Sequence, residues 1–170
     1  MKIRIGTIED IKGLARVHYE SWKTTYSGIF SEETLTNRTY EKVLSNWRPR
    51  LENRNEKYQC YLAETEEGEI VAFAECGVER TNNFQIEGEL YTLYILESFQ
   101  RKGIGTLLFK KVIEHLSNHN IHSVMAWVIK DNESRKFYER HGGEVIGEQL
   151  IGDTGILEVA YAWKNLNDFI

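Results

Sequence analysis

The chain has 170 residues, 41% hydrophobic and 28% charged, with a formal net charge of −5. That is enough for a globular domain with its own core, while the acidic balance argues against a general nucleic-acid binder and no apolar run nears the roughly 18 residues of a membrane span. Cys60 and Cys76 lack metal-ligand spacing and read as reduced, packed thiols, and the N-terminus has no apolar signal core, so a cytoplasmic location is expected.

In chain order, residues 2–5 read as a short strand. Thr7-Ile-Glu-Asp10 has the form of a helix start. Ile8, Ile11, Leu14, Ala15, Val17 and His18 then recur at helical spacing to about Tyr26, and Gly28 breaks the run. Ser31-Glu-Glu-Thr34 can restart a helix, residues 40–47 look like another set of turns that closes near Pro49, and 50–57 reads as a polar linker. From Tyr58 the period changes. Residues 59–64 and 70–78 are strands joined at Gly68 as a hairpin. A turn at Thr81-Asn-Asn precedes a strand over 89–96. Residues 106–118 form an amphipathic helix with Leu108, Val112 and Leu116 on one stripe. A strand over 123–129, a short helix over 132–141 ended by Gly142-Gly143, and strands over 144–150 and 156–164 complete the chain.

The order is β-α-α-β-β-β-α-β-α-β-β, with no repeat and no interdomain linker. It predicts a single α/β domain over 1–170. The hairpins make its central sheet mostly antiparallel, with helices on both faces. The helix between the 89–96 and 123–129 strands requires one parallel β-α-β crossover of right-handed sense.

Residues 89–109 carry the strongest functional signal. An apolar strand enters the corner Gln100-Arg101-Lys102-Gly103-Ile104-Gly105-Thr106, and an apolar helix follows at once. Glycines let backbone N–H groups converge, the first-turn donors of a helix have no internal partner, and Arg101 and Lys102 add positive charge. The combination suits a phosphate or pyrophosphate. A bare Gly-x-Gly arises about once by chance in a chain this long, so its setting carries the weight; an ordinary strand-to-helix turn is the alternative. The dinucleotide fingerprint would need glycine where Leu108 stands, and the triphosphate loop would need Gly-Lys-Ser/Thr.

What remains resembles the Gln/Arg-x-x-Gly-x-Gly/Ala loop of the GNAT family of N-acetyltransferases. A second segment, Asn132-Glu-Ser134-Arg-Lys-Phe137-Tyr138-Glu-Arg-His-Gly142, is similar to that family's Asn-x-x-Ala/Ser-x-x-Phe-Tyr-x-x-x-Gly-Phe stretch, and the element order matches over nearly the whole chain. Asn132 can cap a helix, and Tyr138, close to two turns later, can face a similar side. Glu97 stands where the family often has proline, and Gly143 where it has a packing phenylalanine, which predicts looser local packing.

The resemblance implies acetyl transfer from acetyl-CoA to a primary amine of a small molecule or peptide. It implies that the loop from Gln100 to Thr106 holds the pyrophosphate, and that free backbone N–H groups around Leu93, Tyr94 and Ile95 bond pantetheine and the thioester carbonyl. By the same resemblance Asn132, Ser134 and Phe137 lie along coenzyme A, Tyr138 is the general acid, and Glu89 is a base acting through water. Glu75 is the second candidate base on the acceptor side. Glu20-Ser-Trp22-Lys-Thr-Thr-Tyr26 resembles an acceptor-shaping segment in one branch of the family, although Trp22 and Tyr26, at i and i+4, can equally pack on the core. No metal is expected: the five histidines form no ligand pattern, and His115, His119 and His122 read as surface or helix-end residues. The acidic run Glu64–Glu69 reads as a solvated hairpin. The resemblance leaves room for a homodimer. The alternative function is a non-catalytic coenzyme A sensor on the same fold.

Overall fold

A computed structural model describes residues 1–52 and 55–169. β1 (Lys2–Ile5) leads through a 3₁₀ turn into α1 (Ile11–Tyr26), followed by α2 (Glu32–Asn37) and α3 (Tyr40–Glu52). β2 (Gln59–Glu64), β3 (Ile70–Val78) and β4 (Gly88–Ile95) precede α4 (Ile104–Asn118). β5 (Val124–Ile129), α5 (Arg135–Arg140), β6 (Glu144–Leu150) and β7 (Leu157–Trp163) follow. The seven strands form one sheet in the order β1-β2-β3-β4-β5-β7-β6, with β4 and β5 parallel and the other neighbours antiparallel. The mixed sheet and its single parallel pair are those expected from the sequence.

Alternation along the strands assigns the two faces. Leu62 and Phe73 are paired across β2 and β3, and Phe73 meets His18 of α1 and Trp47 of α3. Tyr61, one residue along, meets His115 of α4 on the opposite face. β3 lies between both helix layers, and its residues from Ile70 to Gly77 are all buried, which explains why it reads as a continuous apolar run rather than an alternating one.

Three expectations need correction. α3 does not close near Pro49 but runs through it to Glu52. Proline removes one helical hydrogen bond at a cost of about 3 kcal/mol. Trp47 (0% exposed) and Leu51 (3%), one turn apart, are both buried, and two such side chains contribute about 1.5–3 kcal/mol each. Arg50 and Leu51 therefore belong to a packed helix rather than a linker, whose residues Asn53 and Arg54 lie outside the described residues. His115 is not a surface residue: it is buried under α4, with its Nε2 3.0 Å from the Lys57 carbonyl. The acidic hairpin is also partly paired, Glu64 with Arg4 and Glu69 with Arg16.

Candidate active site

β4 and β5 pair only at Gly88↔Val124 and Glu89↔Met125 and then diverge. On its other edge β4 stays paired with β3 from Gly88 to Ile95, and Tyr91 is an extra residue where the register shifts between Glu75 and Cys76. Such a bulge sharpens the local twist and helps turn β4 away from β5. Leu96 donates its N–H to the Val71 carbonyl across β3. By the two-residue period of the ladder, Tyr94 does the same toward Phe73, while the N–H groups of Leu93 and Ile95 point into the gap. The structure thus brings Leu93 and Ile95 to the opening as expected and corrects Tyr94, whose backbone donor faces β3.

The gap ends at the glycine corner. A short 3₁₀ turn, Glu97–Phe99, leads into it, and the Gln100 side chain donates to the Ile95 carbonyl at 3.1 Å, bracing loop against strand. Arg101 and Gly103 both adopt positive φ, 60° and 81°, and Gly103 is the N-cap of α4. The first intrahelical bond runs from Leu107 N–H to Gly103 O, so the donors of Ile104, Gly105 and Thr106 have no acceptor inside the helix. Arg101, Lys102 and Gly103 are exposed beside them. A helix N-terminus with three free donors and two cations can hold a phosphate. Gly105 serves another purpose: a Cβ there would lie 3.1 Å from the Phe137 ring and 3.3 Å from Ile95. Its missing side chain lets α5 and β4 close on α4. The Thr106 hydroxyl is 3.1 Å from His141 Nε2, while His141 Nδ1 lies 2.8 Å from the Phe137 carbonyl, so sequence reasoning missed a second tie between these helices.

α5 is shorter than expected. Asn132 caps the turn before it, its side-chain oxygen accepting the Ser134 N–H at 2.9 Å. Phe137 packs edge-on against Phe109. Tyr138 is 8% exposed and stacks on Tyr161 of β7 with ring centroids 5.9 Å apart. Its hydroxyl makes no hydrogen bond among the described residues. Burial pushes its pKa well up, and the charge of Tyr26 adds to the rise. Gly143 does not loosen this corner as its missing phenylalanine suggested. A Cβ there would meet the Trp163 ring at 2.9 Å, and the Trp163 indole donates to the His141 carbonyl at 2.7 Å. Trp163 occupies the space a side chain would take.

On the α1 face the sheet presents Glu75, Thr92 and Tyr94. Glu75 is 2% exposed and accepts from Tyr58 Oη at 2.6 Å, Thr92 Oγ1 at 2.8 Å and Arg50 Nη1 at 3.0 Å. Glu89 is not a solvated strand end. It too is 2% exposed, held by Arg80 through Nε at 2.9 Å and Nη2 at 2.5 Å. Trp22 and Tyr26 meet with Phe30 in one aromatic cluster, and the Tyr26 and Tyr94 hydroxyls are 3.4 Å apart. His18 stacks on Tyr94 at 5.1 Å and takes a bond from Arg38 Nη2 at 2.7 Å. Neither His18 nor Arg38 announced itself in the sequence: one sits on an apolar helix stripe, the other in a polar connection. Two grooves beside α1 are lined in part by Arg16, Tyr19 and Glu20, and one of them reaches Leu96 and the Glu97–Phe99 turn that leads into the glycine corner.

Comparison with known proteins agrees with this geometry. Residues 16–143 match the model of the acetyltransferase (GNAT) family. The chain is 34% identical over 167 residues to the uncharacterized N-acetyltransferase YuaI of Bacillus subtilis, covering 97% of this chain and 94% of that one. It is 28% identical to the spermidine N(1)-acetyltransferase of Thermoplasma acidophilum, over 95% and 98% of the two chains. The crystal structure of the PaiA N-acetyltransferase of the same archaeon, in complex with coenzyme A, superposes with a TM-score of 0.72 at 24% identity, covering 95% of this chain and 98% of that one. The family model covers most of the chain and a relative 34% identical covers nearly all of it, so the chain belongs to the GNAT acetyltransferase family.

Proposed function

We propose that the chain is one acetyltransferase domain, spanning residues 1–170, that moves an acetyl group from acetyl-CoA to a primary amine by direct attack. The observation that carries this reading is the parting of β4 from β5 after two pairs, and it is supported by Tyr138 of α5, 8% exposed and with its hydroxyl unbonded among the described residues.

Acetyl-CoA supplies an activated thioester, and the chain has groups that fit it. The free N–H groups of Ile104, Gly105 and Thr106, with Arg101 and Lys102 nearby, suit the pyrophosphate. The donors of Leu93 and Ile95 suit pantetheine and the thioester oxygen, where negative charge develops as the amine attacks. Tyr138 is held protonated by burial and donates to the departing thiolate. The same desolvation raises the thiolate's affinity for a proton, which keeps acid and leaving group matched. The amine must lose a proton. Glu89 is engaged by Arg80, yet a carboxylate offers about four acceptor positions, so the role proposed for it is to hold the water that takes that proton. Asn132, Ser134 and Phe137 line the route toward α5.

Non-catalytic coenzyme A binding is the second reading, favoured by the engagement of both Glu75 and Glu89 with protein donors. Free-thiol release with a panel of amines separates the two. In the enzyme, Tyr138→Phe keeps acetyl-CoA affinity and lowers kcat by about 10²–10⁴-fold; a loss under about threefold removes Tyr138 from the acid role. Glu89→Gln moves the acidic limb of kcat/KM upward. If Glu75→Gln moves it instead, the base is Glu75.

A further inference from the structure

Arg38 has no carboxylate partner among the described residues. It follows α2, half-buried, with its guanidinium 4.7 Å over the Trp22 ring and its Nη2 on His18 Nε2. Among the described residues it makes no ion pair, and its buried Nε has no hydrogen-bond partner. The arginines of α1 and of the buried side of α3 are paired, Arg16 with Glu20 and Glu69 and Arg50 with Glu75, whereas Lys12, Lys23 and Lys42 of the same helices are exposed. A guanidinium only donates, so His18 accepts through Nε2, carries its proton on Nδ1 and stays neutral. Burial and the charges of Arg38 and Arg50 hold its pKa down, to about 3. Among the described residues no carboxylate therefore pairs with Arg38 to balance its charge. It touches Trp22 and His18, which in turn pack on Tyr26 and Tyr94, and an uncompensated charge taken partly out of water is costly unless an anion meets it.

The place of this charge matters. Tyr26 and Tyr94 join hydroxyls at 3.4 Å, and Tyr94, which stacks on His18, lies on β4 between Leu93 and Ile95, whose N–H groups face the gap. Arg38, bonded to His18, thus lies beside the opened stretch of β4. A guanidinium without a carboxylate beside that edge matches an acceptor that carries a carboxylate besides its amine. A polycation would be repelled there by Arg38.

Resting on the acetyltransferase reading, we propose that the acceptor is a primary amine that also bears a carboxylate, such as an amino acid, and that Arg38 is the residue that binds this carboxylate. A guanidinium fits a carboxylate through two parallel hydrogen bonds, and an amide in the same position offers only a neutral oxygen.

The test is free-thiol release from acetyl-CoA with the common amino acids, their carboxamides and spermidine. The expected result is that kcat/KM for the best amino acid exceeds that of its carboxamide at least tenfold and spermidine's by more. Arg38→Gln should bring the acid-to-amide ratio close to one. If that variant does not fold, Arg38→Lys, which keeps the charge and loses the fork, should retain a reduced preference for the acid. Turnover of carboxamides or spermidine in preference to every amino acid overturns the proposal and leaves the acetyltransferase reading standing. An unchanged acid-to-amide ratio in Arg38→Gln also overturns it. No thiol release with any amine overturns both.

Discussion

Asp10 accepts from Nη1 and Nη2 of Arg4 at 2.7 and 2.8 Å and from the Thr7 N–H at 2.9 Å, while Arg4 also reaches Glu64. Three residues thereby tie β1, the entry to α1 and β2. The Arg4 hydrogen bonds, above all, hold the Asp10 carboxyl below the usual carboxylate range. A group whose folded pKa is depressed stabilises the fold above its unfolded pKa, and that contribution is lost as pH falls through the folded value. Asp10→Asn should therefore cost about 1–2 kcal/mol at neutral pH, and the difference from the parent should shrink below about pH 4. Urea denaturation at pH 7 and pH 3 measures both; an equal difference at the two pH values would exclude the ion pair as the source. The Thr7–Asp10 box was legible in the sequence because its partners are three residues apart. The bridge through Arg4 was not, because it depends on the β1–β2 register.

The glycine corner and α4 form the element on which the cofactor proposal rests, and its two glycines do different things. Gly103 needs positive φ, and a Cβ there meets nothing; Gly103→Ala should cost about 1–2 kcal/mol from strain alone. Gly105→Val instead drives a side chain into Phe137 and Ile95. The expected loss is about 1–3 kcal/mol, with kcat falling as α5 and Tyr138 shift. Denaturation together with acetyl-CoA calorimetry distinguishes these effects. Full stability with lost affinity in Gly105→Val would show that this position meets the ligand rather than the neighbouring helix. Sequence spacing located both glycines, but only the packing of α5 on α4 separated their roles. The same applies to α3: Pro49 signals a stop, and the helix continues because Trp47 and Leu51 share a buried side.

At the scale of the molecule, the sheet is least tied where β4 and β5 part, since two pairs join them and the ladder then ends. A ligand that bonds the freed donors and bridges both halves stabilises the folded state by mass action. At a hundredfold excess over its Kd the gain is about 2.7 kcal/mol, equivalent to a rise of about 5–10 °C in Tm for a chain this size. Thermal melts with acetyl-CoA should show that rise, and a shift below about 1 °C at saturation would count against the gap as its site.

The sequence by itself determined the order of the strands, the parallel crossover and the glycine corner, because helical and strand periodicity, turn glycines and helix-start residues act within a few positions of one another; it counted two helices before β2 where the fold has three. Only the tertiary structure decided which side chains meet. Glu75 and Glu89, similar in sequence, each acquired arginine partners from other segments. Arg38 reached His18 across 20 residues, and Tyr26 reached Tyr94 across 68. Such pairings follow from strand register, the alternation of faces and the docking of α1 to α3 on the sheet, and a strand's own sequence records which residues are apolar but not which distant charge or hydroxyl the fold will set beside them.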